Sequence, residues 1–169
     1  MKKNLVLLGM MGVGKTTLGK IVAKKMNLKF IDTDAIIEKK CSMKISEIFK
    51  KKGEEFFRAE EEKEVLKSLK DVNLVLALGG GAFINKAVRD AVLKKTISIW
   101  LDVNLKDLEK RIKWNSKRPL LNTQNKKKKI NELYEKRKNI YKLAKHRINC
   151  NNISREIITN KIINFYEKY

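Results

Sequence analysis

The stretch "LVLLGMMGVGKTTLGKI", residues Leu5–Ile21, decides the fold of this 169-residue chain. It could be a secretory leader, or a strand that runs into a glycine-rich phosphate loop and a helix. A leader needs an unbroken apolar run of about 7–15 residues and a small-residue cleavage site. Gly9, Gly12 and Gly14 break the run, Lys15 ends it, and no such site follows. The glycines therefore favour the phosphate loop.

The same stretch matches the pattern G-x-x-x-x-G-K-[ST] from Gly9 to Thr16 at every fixed position. A short apolar strand precedes the loop, and apolar residues recur at helical spacing after it. Glycines let successive N–H groups turn toward one anion, and the start of a helix adds the positive end of its dipole. The predicted nucleotide-phosphate site comprises Gly12, Val13, Gly14, Lys15, Thr16 and Thr17.

Polar side chains beside this loop suggest phosphoryl chemistry. Lys15 supplies a point charge to the outer phosphates, and the Thr16 hydroxyl is a hard oxygen ligand suited to Mg²⁺. Asp32 and Asp34 in "FIDTDA" directly follow the second predicted strand. If the chain stays extended there, both carboxylates point the same way, so that one could hold magnesium and the other orient an attacking hydroxyl. The alternative is an acidic helix start with Thr33 or Asp34 as N-cap.

Length and composition point to one domain, residues 1–169, with one sizeable core. No stretch approaches the ~20 apolar residues of a membrane span. Cys41 and Cys150 make no disulfide framework, and we expect both to be reduced in a cytoplasmic protein. His146 is the only histidine, which argues against histidine catalysis, and we place it at a helix end.

The net charge of +21 is a possible signal for polyanion binding. However, the lysines are spread along the whole chain together with abundant asparagine and isoleucine, which indicates a general composition bias. Only Lys126–Lys129 form a run, and we place it in a mobile loop. We therefore expect no specific nucleic-acid partner, only incidental, salt-sensitive binding.

Apolar stretches alternate with helical patterns along the chain. The predicted strands are Leu5–Leu8, Lys29–Asp32, Leu74–Leu78, Ile97–Leu101 and Arg147–Cys150. The first predicted helix follows the phosphate loop, and the next helical region is Ala35–Leu69 with an interruption at Gly53. Further helices are predicted at about Leu105–Ile112 and about Ile130–Ala144. Ser154 is predicted to cap a last helix, whose apolar stripe comprises Ile157, Ile158, Ile162 and Phe165. This alternation predicts a five-stranded parallel sheet with helices on both faces and ligands beyond the carboxyl ends of its strands.

Two arginines on helical patterns are candidates for binding an anion. Arg58 precedes Glu61 by three residues and adjoins two phenylalanines, which suggests a guanidinium beside a partly apolar wall. Arg137 is in register with Leu133 and Tyr141, each four positions away, so we expect it to point along an apolar stripe. A planar guanidinium suits a bidentate carboxylate contact. The alternative for both is an ordinary solvated charge.

Two loops complete the set of candidates. "LALGGGAF" places Gly79–Gly81 at a strand end, where main-chain N–H groups can approach a ligand that a Cβ would block. "KRPLLN" offers Arg118 from a segment without periodicity, which could close over bound nucleotide. An ordinary basic loop is the alternative for the second motif.

The motifs "GMMGVGKTT", "DTD", "FFRAEE", "LGGGA" and "RPLL", in this order, resemble shikimate kinase from Leu5 to about Asn151. The phosphate loop is shared by many NTPases, but the combination is far more selective. The resemblance implies a P-loop, nucleoside-monophosphate-kinase-like fold with a substrate-binding segment at about 33–69 and a mobile lid at about 113–126. It also implies ATP-dependent phosphorylation of the 3-hydroxyl of shikimate, a Mg²⁺ requirement and usually a monomer.

The resemblance carries roles over to matching positions. On the nucleotide side, Gly12–Thr17 would hold the ATP phosphates, Thr16 would ligate Mg²⁺, and Asp32 would support the metal through water. Lys15 and Arg118 would meet the charge on the transferred group, Arg118 after lid closure.

On the substrate side, Asp34 would bind the reacting hydroxyl and act as its base. Arg58 and Arg137 would grip the carboxylate, and the backbone of Gly80 and Gly81 would add contacts. Arg111, on the helix before the lid, resembles the position that stacks near adenine.

Two other functions remain open from the sequence. A related small-molecule kinase such as gluconate kinase would share the phosphate loop and the acidic pair, and its substrate is also a polyhydroxy carboxylate. A basic nucleic-acid-binding module would predict tight RNA binding at physiological salt and no ADP release with shikimate.

Overall fold

The computed structural model describes residues 3–112 and 126–169, and this part of the chain contains five strands and seven α-helices. The strands are β1 (Asn4–Leu8), β2 (Lys29–Asp32), β3 (Leu74–Ala77), β4 (Thr96–Asp102) and β5 (His146–Asn149). The helices are α1 (Lys15–Lys25), α2 (Thr33–Cys41), α3 (Ile45–Ser68), α4 (Lys86–Lys95), α5 (Leu105–Arg111), α6 (Lys126–Tyr141) and α7 (Arg155–Glu167), with a short 3-10 helix at Ala82–Ile84.

All strand pairs are parallel, and the strand order is β2-β3-β1-β4-β5. Strands β1, β3 and β4 are buried along their whole length because helices cover both faces of the sheet. This burial explains why these strands are mostly apolar in the sequence, although β4 also buries the polar residues Thr96, Ser98 and Asp102. The predicted sheet is confirmed, and each predicted strand lies within one residue of the observed bounds.

The helical segment between β2 and β3 has a small core of its own. Ile37 on α2 packs with Ile48 and Phe57 on α3, apart from the main core around β1. Gly53 interrupts α3 with a φ of 85° and a ψ of 165°, so the predicted interruption is confirmed as a kink inside one helix. Before and just after the kink α3 packs on α2, and farther along Val65 of α3 joins the main core.

Several local predictions are wrong. His146 begins β5 rather than ending a helix, and its ring stacks on Phe165 with 3.7 Å between ring centroids. Lys126–Lys129 form the first turn of α6 rather than a loop. Ile157 is 47% exposed and does not join the apolar stripe of α7, whereas Tyr166 is buried there.

Other expectations are met. Ser154 caps α7, since its side chain accepts a hydrogen bond from the N–H of Ile157. Cys41 and Cys150 are free thiols. Among the described residues, no helix combines the length and the apolar character that crossing a bilayer requires.

Candidate active site

The phosphate loop joins the central strand β1 to α1. Gly12 and Gly14 have φ angles of 82° and 100°, a backbone region that side chains disfavour. Lys15 Nζ donates hydrogen bonds of 2.9 Å to the carbonyl oxygens of Gly9 and Met10. The lysine is therefore held over the loop by the loop's own backbone.

Asp32 connects the phosphate loop to α2. Thr16 Oγ1 donates a 2.5 Å hydrogen bond to Asp32 Oδ2, while Asp32 Oδ1 accepts from the N–H groups of Asp34 (3.1 Å) and Ala35 (3.3 Å). Asp32 is thus the N-cap of α2, which begins at Thr33. The expectation of an extended chain through Asp34 is wrong. The alternative of an acidic helix start is confirmed, except that the cap is Asp32 rather than Thr33 or Asp34.

Thr33 points away from the loop, into the sheet. Its hydroxyl donates to the carbonyl of Ala77 (3.3 Å) and accepts from the N–H of Gly79 (3.1 Å). Thr33 is fully buried. It fastens the start of α2 to the end of β3, which the sequence did not indicate.

The Thr16–Asp32 pair offers the oxygen ligands that Mg²⁺ prefers. A hydroxyl and a carboxylate are hard oxygen ligands, and Mg²⁺ is usually bound by one or two carboxylates together with substrate phosphates and water. Among the described residues, no group of three or more His, Cys, Asp or Glu side chains could hold a metal. The pair could hold a magnesium ion only if further ligands, such as nucleotide phosphates and water, completed its coordination.

Asp34 and Glu61 converge beside Gly79. A Cβ at Gly79 would lie 2.5 Å from Asp34 Oδ1 and would also overlap Glu61 Oε1. Both carboxylate oxygens are buried and have no hydrogen-bond partner within the described part of the chain. Since an unsatisfied buried acceptor is costly, these two oxygens mark a place prepared for a donor from a ligand.

The electrostatics of Asp34 suit a proton acceptor near neutral pH. Burial, reinforced by the charges of Glu61 and Asp32, raises the pKa of Asp34 to about 7. Lys15 and Arg58 act in the opposite direction and limit this rise in pKa.

Arg58 lies on α3, held by acids on its own helix. Its guanidinium donates to Glu61 at 2.7 Å and to Glu54 at 3.1 Å. Its Cζ lies 5.3 Å from the ring centroid of Phe57 and 6.0 Å from that of Phe49. The predicted partly apolar wall is confirmed for Phe57, but Phe56 lies beside Lys52 instead. Phe49 is a member that the sequence analysis missed. Glu61 is 2% exposed, so this pair is not an ordinary surface ion pair.

Arg137 reaches the same region from α6. It is 7% exposed, and its Nη1 donates a 3.1 Å hydrogen bond to the carbonyl oxygen of Gly80. The hydroxyl of Tyr141 donates to the same oxygen. The solvated-charge alternative for Arg137 is therefore wrong.

The sheet order explains why these groups meet. Strands β2, β3 and β1 are neighbours, so the acidic pair, Gly79–Gly81 and the phosphate loop leave the sheet side by side at its carboxyl edge. Gly80 lies against the loop, because a Cβ on it would be 3.4 Å from the Met11 nitrogen. A Cβ on Gly81 would overlap the guanidinium of Arg58.

The remaining nucleotide candidates lie toward the other side of the sheet. Arg111, in the last turn of α5, donates a 3.1 Å hydrogen bond to the carbonyl oxygen of Cys150 after β5. Its neighbour Ile112 packs against Gly12 of the phosphate loop. Arg118 and the predicted lid, apart from its last residue Lys126, lie outside the described residues.

One stability prediction follows from Asp34 alone. A carboxyl whose pKa is raised in the folded state binds more protons there than in the unfolded chain. The free energy of unfolding therefore falls as pH rises from about 4 to about 7. Asp34→Asn removes this loss. We expect the variant's gain in Tm over the natural chain to grow from pH 5 to pH 8, where it should reach several degrees, measured by thermal unfolding without ligands.

Asp90→Asn is the matched control for this experiment. Asp90 is exposed, and its hydrogen bond to Lys86 lowers its pKa. The same chemical change there should leave Tm unchanged or slightly reduced at pH 8. Equal gains from both variants would contradict the assigned environment of Asp34.

Comparisons with known proteins are consistent with this geometry. The shikimate kinase family model matches residues 11–167. The shikimate kinase of Bartonella henselae is 44% identical over 165 residues, which cover 98% of this chain and 79% of that protein. The structure of shikimate kinase from Acinetobacter baumannii in complex with shikimate matches with a TM-score of 0.95 and 31% identity, covering 99% of this chain and 94% of that one.

A gluconokinase from Sinorhizobium meliloti matches less well, with a TM-score of 0.60 and 12% identity over 99% of this chain and 93% of that one. At this identity the likeness concerns the fold alone. Of shikimate kinase and gluconate kinase, the two small-molecule kinases considered from the sequence, the comparisons favour shikimate kinase.

Proposed function

Because the chain belongs to the shikimate kinase family, we propose that its site transfers the terminal phosphoryl group of ATP to the 3-hydroxyl of shikimate. The observation that carries the proposal is the meeting of three features at one edge of the sheet. These are a phosphate loop, a carboxylate with an unpartnered buried oxygen, and two arginines near a glycine turn.

On the nucleotide side, the backbone N–H groups of Gly12–Thr17 and the ammonium of Lys15 bind the phosphates. Thr16 and Asp32 would hold Mg²⁺, which when bound neutralises part of the phosphate charge. Lys15 is already aimed over the loop by two carbonyls, so little reorganisation is needed as negative charge develops. We assign to Arg118 a further contact with the transferred group.

On the acceptor side, Asp34 orients the 3-hydroxyl and accepts its proton. The hydroxyl oxygen then attacks the terminal phosphorus, the bond from that phosphorus to the bridging oxygen breaks, and ADP leaves with the electron pair. A pKa of about 7 leaves enough Asp34 ionised at neutral pH while keeping it basic enough to take the proton.

The substrate carboxylate is the second anchor. Arg58 and Arg137 come from different helices and would clamp it from two directions, with the backbone of Gly80 and Gly81 contributing further contacts. Phe49 and Phe57 support the apolar side of this pocket. Two fixed anchors hold the hydroxyl in line with the phosphorus, which is most of what phosphoryl transfer asks of a protein.

A coupled ADP-release assay tests the proposal, run with shikimate, gluconate and nucleoside monophosphates at equal concentrations. We expect turnover with shikimate and at most a trace with the others. Faster turnover with gluconate would overturn the choice of substrate. Omission of Mg²⁺ should abolish ADP release, which tests the proposed metal.

We also propose that the enzyme is a cytoplasmic monomer without a specific nucleic-acid partner. The basic residues would then bind RNA only through incidental phosphate contacts, which weaken steeply with salt. Filter binding of an RNA of mixed sequence should fall to background near physiological salt. Tight binding that persists there would support the nucleic-acid-binding alternative.

Arg58→Ala is expected to raise the KM for shikimate by roughly ten- to a hundredfold, the effect of losing a charge-assisted contact, with a smaller change in kcat. Removal of the guanidinium also leaves Glu61 buried without its ion-pair partner. Initial rates over a range of shikimate concentrations measure this effect. Lys51→Ala, on the same helix and 62% exposed in its side chain, should leave KM unchanged.

A further inference from the structure

The turn of Gly79–Gly81 consists only of glycines, so its sequence does not restrict its backbone conformation. Glycines allow close approach of a ligand, but without Cβ atoms they place few limits on φ and ψ, so ordering them costs more conformational entropy than ordering other residues. A turn of three glycines needs contacts from elsewhere to define which way its peptide groups point.

The carbonyl oxygen of Gly80 receives two such contacts. Arg137 Nη1 donates to it at 3.1 Å, and the hydroxyl of Tyr141 donates to it as well. A carbonyl oxygen has two lone pairs, so these donors can saturate it. They come from successive turns of α6, and together they fix the orientation of the peptide group between Gly80 and Gly81.

The two donors differ in what else they do. Arg137 is proposed to bind the substrate carboxylate, so its guanidinium serves two acceptors. The Tyr141 hydroxyl is buried, its ring packs near Trp100 with 6.0 Å between centroids, and Met10 Sδ lies 3.9 Å away. Burial raises the pKa of Tyr141 to about 12, so the hydroxyl remains a donor at any physiological pH.

We propose that Tyr141 is a positioning residue for substrate binding, whose hydroxyl holds the Gly80 carbonyl so that Arg137 and the Gly81 backbone meet a bound hydroxy acid in a fixed geometry. The proposal rests on the proposed function of the site. It gives Tyr141 no contact with substrate. Its effect passes through Gly80, which lies against the phosphate loop on one side and beside Arg137 on the other.

Tyr141→Phe tests this assignment, because it removes the hydroxyl and keeps the ring that packs in the core. We expect the KM for shikimate to rise roughly fivefold to tenfold, the effect of one lost hydrogen bond, while kcat and the KM for ATP change less than about twofold. A purely structural loss would affect both substrates together.

Tyr134→Phe is the matched control on the same helix. Its hydroxyl donates to Asp102 Oδ1 at 3.2 Å, away from Gly80. This variant loses the same atom from a less buried hydroxyl, so we expect a folded protein with a change in Tm no larger than that of Tyr141→Phe and an unchanged KM for shikimate. Thermal unfolding of both variants shows whether they are folded and comparably stable.

The outcomes separate the two proposals. If the natural enzyme does not phosphorylate shikimate, the proposed function fails and the role of Tyr141 fails with it. If the natural enzyme is active and Tyr141→Phe keeps its KM for shikimate, only the role of Tyr141 is overturned. Equal rises in KM from Tyr141→Phe and Tyr134→Phe, or equal rises for shikimate and ATP, would also overturn it.

Discussion

Asp34→Asn is expected to lower kcat by about a thousandfold, within the range that a general base contributes. The amide keeps the shape of the carboxyl and still accepts a hydrogen bond, but it cannot take the proton of the attacking hydroxyl. The change is measured as ADP release at saturating shikimate and ATP. A kcat within threefold of the natural enzyme would contradict the role given to Asp34.

The same variant should be more stable than the natural chain at neutral and alkaline pH. The environment that prepares Asp34 to accept a proton also penalises its charge in the absence of ligands. Loss of activity together with a gain in Tm is the expected sign of a residue kept for chemistry at the cost of stability. Asp90→Asn, at an exposed position, should change neither kcat nor Tm appreciably.

Lys15→Ala is expected to reduce kcat/KM for ATP by roughly a hundred- to a thousandfold. This is the usual effect of removing one fixed group that stabilises the negative charge developing in the transition state. Its hydrogen bonds to Gly9 and Met10 place the ammonium over the loop before nucleotide binds. The loss should appear in both kcat and KM, because we propose that the lysine contacts phosphates in the ground state and in the transition state.

Lys20→Ala controls for the general effect of removing a positive charge from this basic chain. Lys20 lies on the same helix and is exposed. Its removal should leave kcat/KM for ATP within twofold. Comparable losses from both variants would indicate that long-range electrostatic attraction, rather than a contact at the loop, explains the effect of Lys15.

Much of the fold could be predicted because its central strands are buried on both faces. Leu74–Ala77 is a continuous apolar run, and within Thr96–Asp102 the stretch Ile97–Leu101 is interrupted only by Ser98, so both are easy to recognise beside a phosphate loop. Helix α4 (Lys86–Lys95) was missed although its sequence carries a helical signal. Val88 and Val92 are four positions apart and buried on one face, and the side chain of Asn85 caps the helix by accepting from the N–H of Val88.

The site residues were harder to predict than the strands. The sequence placed Asp32 and Asp34 at the right strand end, but an extended chain was the wrong geometry, since Asp32 caps a helix that carries Asp34. Tyr141 was noticed only for its spacing from Arg137. Its hydrogen bond to Gly80 joins residues 61 positions apart, and local periodicity contains no information on such a contact.

A crystal structure of the chain with ADP and shikimate tests the central claim most directly. We expect the shikimate carboxylate between Arg58 and Arg137, its 3-hydroxyl within hydrogen-bonding distance of Asp34, and the ADP phosphates on the loop at Lys15. Shikimate bound elsewhere, with these side chains making no contact to it, would contradict the claim that one edge of the sheet joins the two substrates.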